Sequence, residues 1–257
     1  MYMEWKNCVI LSTLSLSSNQ SLVTNNLNYF EDWHRICIAI ENVDFPDACD
    51  ESLTYLNYGW SSALNVSVPL LSNCNVSFIL LDDVKLPDTF SPYEMLGKME
   101  TFGLNVATPR IHKASHYFMN TQGLMYEKEE AKRPCILKTK MIEFFATMFV
   151  GPAWNCFLKL ISADIGTLTN GIGWGYDICL STICPEISMG VIQTMHAEHL
   201  MSSRKWKYQG RLLSLRAIPL LIRKKQTIDI SNWVYNNYKS HCYNYTWKST
   251  PKHLMCI

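Results

Sequence analysis

The chain has 257 residues, 48% of them hydrophobic, and a net charge of +1, so it is long enough for one large domain or two small ones with a sizeable core. It has no window of about 18 apolar residues, and no transmembrane span is predicted. No complete P-loop, nucleophile elbow or HExxH motif occurs. Kinase, hydrolase and zinc-protease functions therefore lack motif support.

The near-neutral net charge combines two oppositely charged parts of the chain. Residues 1–200 hold 12 Lys and Arg against 21 Asp and Glu, whereas residues 201–257 hold 11 against one. Such a basic segment can meet phosphates, an acidic membrane surface or the acidic body, or it can form a solvated face. We predict a main domain over 1–200 and a basic extension over 201–257 that packs on it or forms a lid.

The ten cysteines are scattered and form no CxxC pair. A zinc-bound knot is therefore disfavoured, and we expect free buried thiols in a reducing, cytoplasmic compartment. Four Asn-x-Ser/Thr tripeptides, at Asn19, Asn65, Asn75 and Asn244, are usable only in a secretory lumen such as the Golgi, which is the alternative compartment.

Strand and helix patterns alternate along the first 110 residues. The predicted strands are NCVILSTL (7–14), HRICIAIENV (34–43), FILL (78–81) and LNVATP (104–109), and the predicted helices are SLVTNNLNYFEDW (21–33) and SPYEMLGKMETFG (91–103). Ser21 and Ser91 are the expected N-caps, Pro92 fits the first helical position and Gly103 ends the second helix. This alternation predicts an α/β fold with a mostly parallel central sheet flanked by helices.

The FILL strand ends on two adjacent carboxylates, Asp82 and Asp83, before Pro87. In open α/β sheets, ligands bind outside the carboxyl ends of the strands. Adjacent carboxylates repel each other unless a cation joins them, and Mg²⁺ or Mn²⁺ prefers oxygen ligands. The pattern indicates either a divalent metal that holds a diphosphate or a solvated acidic turn.

The segment GIGWGYD (171–177) carries the second candidate motif. Gly173 and Gly175 let the backbone approach a ligand closely, and Trp174 between them offers a flat surface for a sugar ring. Asp177 could take a proton from an attacking hydroxyl. A glycine-rich turn capped by an aspartate is the structural alternative.

Three further side chains are candidates. His196 and His199 follow the apolar run MGVI, and His199 is the better candidate for a metal ligand beside an aspartate, although a structural histidine gives the same pattern. Glu143 stands inside the apolar segment KTKMIEFFATMFV. Because burying an unpartnered carboxylate is costly, Glu143 is expected to bind backbone amides or a substrate hydroxyl.

In their order and spacing, these motifs resemble the DUF707 family of glycosyltransferase-like proteins, which has a GT-A architecture. The resemblance extends from about Asn57 to His199 and rests on five segments. They are FILLDDVKLPDTF (78–90), LNVATP (104–109), IEFFATMFVGPAWNC (142–156), Gly173 to Asp177, and Gly190 to His199. Two positions depart from the family pattern, since Val84 and Gln193 stand where the family has Asp.

The resemblance implies a GT-A-like nucleotide-sugar-binding fold and a glycosyltransferase that moves a sugar from a nucleotide-sugar donor to a hydroxyl acceptor such as a glycan. In this hypothesis, Asp177 is the catalytic base if the reaction inverts the anomeric centre, and it serves for orientation if the reaction retains it. Asp82, Asp83 and His199 hold Mn²⁺ or Mg²⁺, and Trp174, Gly173, Gly175 and Glu143 bind substrate. A non-catalytic glycan- or nucleotide-binding relative is the alternative, because of Val84 and Gln193. A membrane-surface adaptor that uses the basic extension is a third possibility, and no nucleic-acid partner is expected.

Overall fold

A computed structural model of the chain describes residues 6–56, 58–112, 135–139, 142–163, 176–200 and 252–254. The strands are β1 (Lys6–Leu14), β2 (His34–Ala39), β3 (Glu51–Thr54), β4 (Cys74–Leu81), β5 (Val84–Lys85), β6 (Val106–His112), β7 (Ile136–Thr139), β8 (Ala146–Val150), β9 (Met189–His199) and β10 (Lys252–Leu254). The helices are α1 (Gln20–Asn28), α2 (Trp60–Leu71), α3 (Pro92–Phe102), α4 (Gly151–Ala163) and α5 (Tyr176–Ile183). No helix in these ranges is long and apolar enough to cross a membrane.

The strands form one mixed sheet in the order β10-β7-β9-β6-β8-β4-β1-β2-β3, with β5 paired to β9. Strands β1 to β4 pair in parallel, but β8 lies between β4 and β6 and is antiparallel to both. The prediction of a mostly parallel sheet was therefore wrong. The run ATMFV in β8 is apolar on both faces, which indicates a central strand but does not specify its direction.

Helices cover both faces of the sheet, as predicted. One apolar cluster joins α1 and α3 to the sheet through residues such as Val23 and Met95. The other joins α2, α4 and α5 to the opposite face, with Trp154 among its fully buried side chains. In β4, Phe78 belongs to the first cluster and Ile79 to the second. The FILL segment is thus covered on both faces, which confirms its assignment as a central strand.

The residues predicted to begin and end α3 are correct, whereas the residue predicted to cap α1 is wrong. Ser91 caps α3 by accepting a hydrogen bond from the Glu94 amide, and Gly103 ends the helix with a left-handed φ of 61°. The cap of α1 is Asn19, whose Oδ1 accepts from the Leu22 amide at 3.2 Å. Ser21 lies within the helix instead, because Asn is as favourable a cap and stands at the residue before the first turn.

The expectation of free thiols was wrong for three pairs of cysteines. Disulfides join Cys8 to Cys74, Cys37 to Cys49, and Cys156 to Cys184. Strands β1 and β4 are parallel neighbours, so their amino-terminal ends meet although Cys8 and Cys74 are 66 positions apart in sequence. Only the strand order brings these thiols together, and a spacing pattern in the sequence does not report it.

The main domain contains almost all of these elements. Of the basic extension over 201–257, the described part is β10, which adds an antiparallel strand beside β7. This strand packs on the main domain. The rest of the extension lies outside the described residues, and its assignment as a lid stays a prediction.

We predict that the Cys8–Cys74 disulfide contributes more stability than the Cys37–Cys49 disulfide. The chain-entropy relation gives about 4 kcal/mol for the longer loop and about 3 kcal/mol for the shorter one. Urea unfolding of the double variants Cys8→Ala/Cys74→Ala and Cys37→Ala/Cys49→Ala measures both losses. Equal losses, or a larger loss for the second variant, would contradict the prediction.

Candidate functional site

The two candidate aspartates lie in the turn between β4 and β5, at the carboxyl end of the central strand. Hydrogen bonds fix both ends of this turn. The Leu81 amide donates to the Phe145 carbonyl at 2.9 Å, and the Leu200 amide donates to the Asp83 carbonyl at 2.7 Å. The turn therefore sits where ligands bind in open α/β sheets.

Asp82 is buried and points towards the turn that follows β1. Its Oδ1 accepts a hydrogen bond from the Thr13 hydroxyl at 2.8 Å, and its Oδ2 accepts one from the Ser18 hydroxyl. Burial raises the pKa of Asp82 above its ordinary value, and the nearby Asp83 charge adds to the rise. The two hydroxyl groups act in the opposite direction, since they stabilise the ionised form.

Thr13 holds an uncommon backbone conformation beside this carboxylate. Its φ is 74°, a left-handed value that costs a non-glycine residue about 1–3 kcal/mol. Such strain persists only where surrounding contacts favour it. Here the Thr13 hydroxyl donates to Asp82, so the strained residue near the end of β1 and the buried carboxylate support each other.

Asp83 points the other way, towards β9. Its Oδ1 lies 3.1 Å from Nε2 of His199, and both side chains are mostly buried, 19% and 9% exposed respectively. The pairing of β5 with β9 sets Val84 opposite His199. The structure thus brings Asp83 and His199 together, although 116 residues separate them in sequence.

Asn26 in α1 holds the backbone that follows the aspartate turn, and it was not among the predicted site residues. Its side-chain amide donates to the Val84 carbonyl at 2.6 Å, and its Oδ1 accepts from the Leu86 amide at 3.1 Å. Asn26 is 1% exposed and is buried beside Val23 and Leu27. A polar residue at a core position of an amphipathic helix was the signal that could have indicated this role.

Val84 stands where the resembling family has its second acidic residue, and its side chain is fully buried in the core. It therefore offers no ligand at that position. Gln193, the other departure, is also buried within β9. The acidic side chains of this turn are therefore those of Asp82 and Asp83.

The GIGWGYD motif lies mostly outside the described residues, which include neither Gly173, Trp174 nor Gly175. Tyr176 and Asp177 begin α5. The Tyr176 ring packs against Trp60 at 6.4 Å between centroids, and the Trp60 indole donates to the Ser12 hydroxyl at 3.0 Å. Ser12 precedes Thr13, so these contacts bring the amino end of α5 towards the turn that binds Asp82.

Glu143 and His196, the two remaining candidates, lie in different surroundings. Glu143 is half-buried between β7 and β8, and its carbonyl accepts from the Thr147 hydroxyl at 3.0 Å. His196 is exposed on β9, three residues before His199. His199 lies beside Asp83.

The structure does not bring the three predicted metal ligands, Asp82, Asp83 and His199, into one group. Both oxygens of Asp82 accept hydroxyl hydrogen bonds, whereas Asp83 and His199 place an oxygen and a nitrogen 3.1 Å apart. Within the part of the chain that the structure describes, no group of three His, Cys, Asp or Glu side chains could hold a metal. In many Mg²⁺ sites the protein supplies one or two ligands, and phosphate oxygens and water molecules complete the coordination shell.

Comparisons with known proteins show the fold alone. No family model matches the chain, and no curated protein sequence matches it, so the resemblance to the DUF707 family stays a prediction. The structure is similar to the crystal structure of GalNAc-T7 with UDP, GalNAc and Mn²⁺, with a TM-score of 0.50 and 10% sequence identity over 92% of this chain and 55% of that one. The crystal structure of A197 from STIV matches with a TM-score of 0.44 and 12% identity over 77% of this chain and 87% of that one, which is too weak to carry an argument.

The chain shares with the GalNAc-T7 structure a mixed α/β fold built on a central sheet with flanking helices. The chain spans about 55% of the GalNAc-T7 chain. The predicted α/β class with helices around a central sheet is thereby confirmed, whereas the sheet is mixed and not mostly parallel.

We predict that Asp82→Asn gains stability relative to the wild-type protein as the pH rises. Because the folded pKa of Asp82 is raised, the unfolded chain releases its proton first, and the wild-type protein loses stability as the pH rises from about 4 through the folded pKa. Asparagine removes this loss and keeps one acceptor and one donor for the two hydroxyls. Urea midpoints in EDTA between pH 4 and 7 measure the difference, and a difference that shrinks with rising pH would contradict a raised pKa.

Proposed function

We propose that the protein is a glycosyltransferase that moves a sugar from a nucleotide-sugar donor to a hydroxyl acceptor. The observation that carries the proposal is the contact of Asp83 with His199 at the carboxyl end of the central strand. The fold adds support, since the similar GalNAc-T7 structure contains UDP, GalNAc and Mn²⁺.

In this proposal Asp83 and His199 bind the divalent ion that accompanies the donor diphosphate. Mn²⁺ accepts both carboxylate oxygen and imidazole nitrogen, which makes it a better match for this pair than an ion that demands oxygen alone. When bound, the ion offsets the negative charge that develops on the leaving diphosphate. Val84, whose side chain is buried, takes no part.

Asp82 acts as a positioning residue rather than as a ligand. Its two oxygens bind hydroxyls of Thr13 and Ser18, so it joins the turn after β1 to the turn after β4. The turn after β1 also carries hydroxyl groups at Ser15 and Ser17, which lie 2.9 Å apart and are exposed. This hydroxyl-rich surface beside Asp82 suits the polar ribose and phosphate groups of a nucleotide.

Residues of α5 and of the segment before it bind and activate the acceptor. Asp177 removes the acceptor hydroxyl proton while the acceptor oxygen bonds to the anomeric carbon of the sugar, and the bond from that carbon to the diphosphate oxygen breaks. Trp174, between Gly173 and Gly175, stacks on a sugar ring, and Glu143 receives a substrate hydroxyl. The contacts of Tyr176 with Trp60, and of Trp60 with Ser12, support a position for α5 near the aspartate turn.

A non-catalytic nucleotide- or glycan-binding relative is the second candidate. Two observations favour it, namely the burial of Val84 and the burial of Gln193 at the positions where the resembling family has acidic residues. Such a protein would bind nucleotide or sugar without a requirement for metal, so metal dependence separates the two candidates.

We predict that Mn²⁺ tightens UDP binding and that His199→Ala abolishes this effect. Losing one of two protein ligands should weaken metal-dependent binding by about tenfold or more. The matched control is His196→Ala, an exposed histidine on the same strand, which should bind as the wild-type protein does. Calorimetric titration of UDP with and without Mn²⁺ is the measurement. Binding that ignores both Mn²⁺ and the His199 substitution would favour the non-catalytic relative.

We also predict that Asp177→Asn lowers turnover by a factor of about 100 to 10,000, which is the usual effect of removing a general base. UDP binding in the presence of Mn²⁺ should be unchanged, because Asp177 acts on the acceptor. The control is Glu186→Gln, which removes an exposed carboxylate just after the same helix. UDP release from a panel of UDP-sugars, starting with UDP-GalNAc, reports both rates, and an unchanged rate for Asp177→Asn would exclude it as the base.

A further inference from the structure

We propose that this chain matures in an oxidising secretory lumen and carries an N-linked glycan on Asn75, but none on Asn65. Both asparagines begin the same tripeptide, Asn-Val-Ser. The sequence therefore cannot distinguish them, whereas the structure does. The proposal does not depend on the proposed function, since it concerns the opposite end of β4 from the aspartate turn.

The disulfides indicate the compartment. Cys8–Cys74, Cys37–Cys49 and Cys156–Cys184 tie together β1 and β4, β2 and the segment before β3, and α4 and the segment after α5. Structural disulfides form and persist in oxidising compartments and are rare in the cytosol. N-glycosylation takes place in the same lumen, so the four tripeptides become available for modification there.

Asn75 lies at a β-bulge that turns its side chain outward. In the pairing of β1 with β4, Lys6 lies opposite Cys74 and Asn7 opposite Val76, so Asn75 is the extra residue between two paired positions. A bulge of this kind redirects one side chain and leaves it unpaired in the ladder. Asn75 is exposed although its neighbours Cys74 and Val76 are buried. A glycan on its amide nitrogen would extend into solvent and leave the sheet undisturbed.

Asn65 occupies the middle of α2 on the side that packs against α4. It is half-buried, and its side-chain nitrogen donates to the Ile161 carbonyl of α4 at 2.6 Å. This nitrogen is the atom to which a sugar would be joined. A glycan there would have to separate the two helices, so the folded protein excludes it.

A glycan on Asn75 leaves the candidate site open. Asp82, just after β4, is seven positions beyond Asn75, which at the rise of a β-strand corresponds to about 23 Å.

The test is secretion of the full chain from a eukaryotic cell behind a cleavable leader. The folded fraction is deglycosylated by peptide N-glycosidase in ¹⁸O-water, which marks each formerly occupied asparagine. We expect the mark on Asn75 and none on Asn65. Asn75→Gln and Ser77→Ala, which break the same tripeptide at its two ends, should each remove the Asn75 glycan, whereas Asn65→Gln should leave the glycan mass unchanged. An unmarked Asn75, or a marked Asn65 in folded protein, would overturn the assignment.

The compartment is tested by peptide mapping of the same secreted protein without reduction. We expect the three disulfides in the pairs given above, and a fall in the thermal midpoint when dithiothreitol is added. Free thiols at these six positions, or an unchanged midpoint after reduction, would overturn the proposal of an oxidising lumen. A protein that fails to bind UDP yet carries the glycan on Asn75 would contradict the proposed function and leave this inference intact.

Discussion

The contact between the Asp83 carboxylate and the His199 imidazole connects two parts of the sheet that the strand order holds apart. Strand β4 lies beside β1 and β8, whereas β9 lies on the far side of β6. The short strand β5 closes this distance by pairing with the end of β9. Because both side chains are mostly buried, each depends on the other to compensate for lost hydration. The candidate metal site, the placement of Val84 and the end of β9 all depend on this pairing.

The cost of burying two neighbouring carboxylates explains the polar groups around the turn. Asp82 and Asp83 repel each other, and the turn separates them by directing one towards the hydroxyls of Thr13 and Ser18 and the other towards His199. Asn26 then satisfies the backbone of the residues that follow. A turn that contains a strained residue and several buried polar groups is typical of functional sites. Such sites lose some folding stability and gain a fixed geometry.

Local signals in the sequence predicted the parts of the fold that depend on local chemistry. The cap at Ser91, the stop at Gly103 and the continuous apolar run of FILL each reflect neighbouring residues, and the structure confirms them. The direction of β8, the Cys8–Cys74 disulfide and the role of Asn26 depend on strand order, which no local pattern reports. The Asp83–His199 pair was anticipated as part of a metal site, but the separate role of Asp82 was not, since adjacent residues in a turn can point in opposite directions.

The position of a bound manganese ion decides whether Asp83 and His199 form a metal site. Crystals of the protein grown with UDP and Mn²⁺ and measured near the manganese absorption edge locate the ion by its anomalous scattering. If these two side chains hold the ion, the peak lies within about 2.5 Å of an Asp83 oxygen and of Nε2 of His199, a typical range for metal–ligand bonds. A peak elsewhere, with the 3.1 Å contact between Asp83 and His199 still in place, would contradict a metal site formed by this pair.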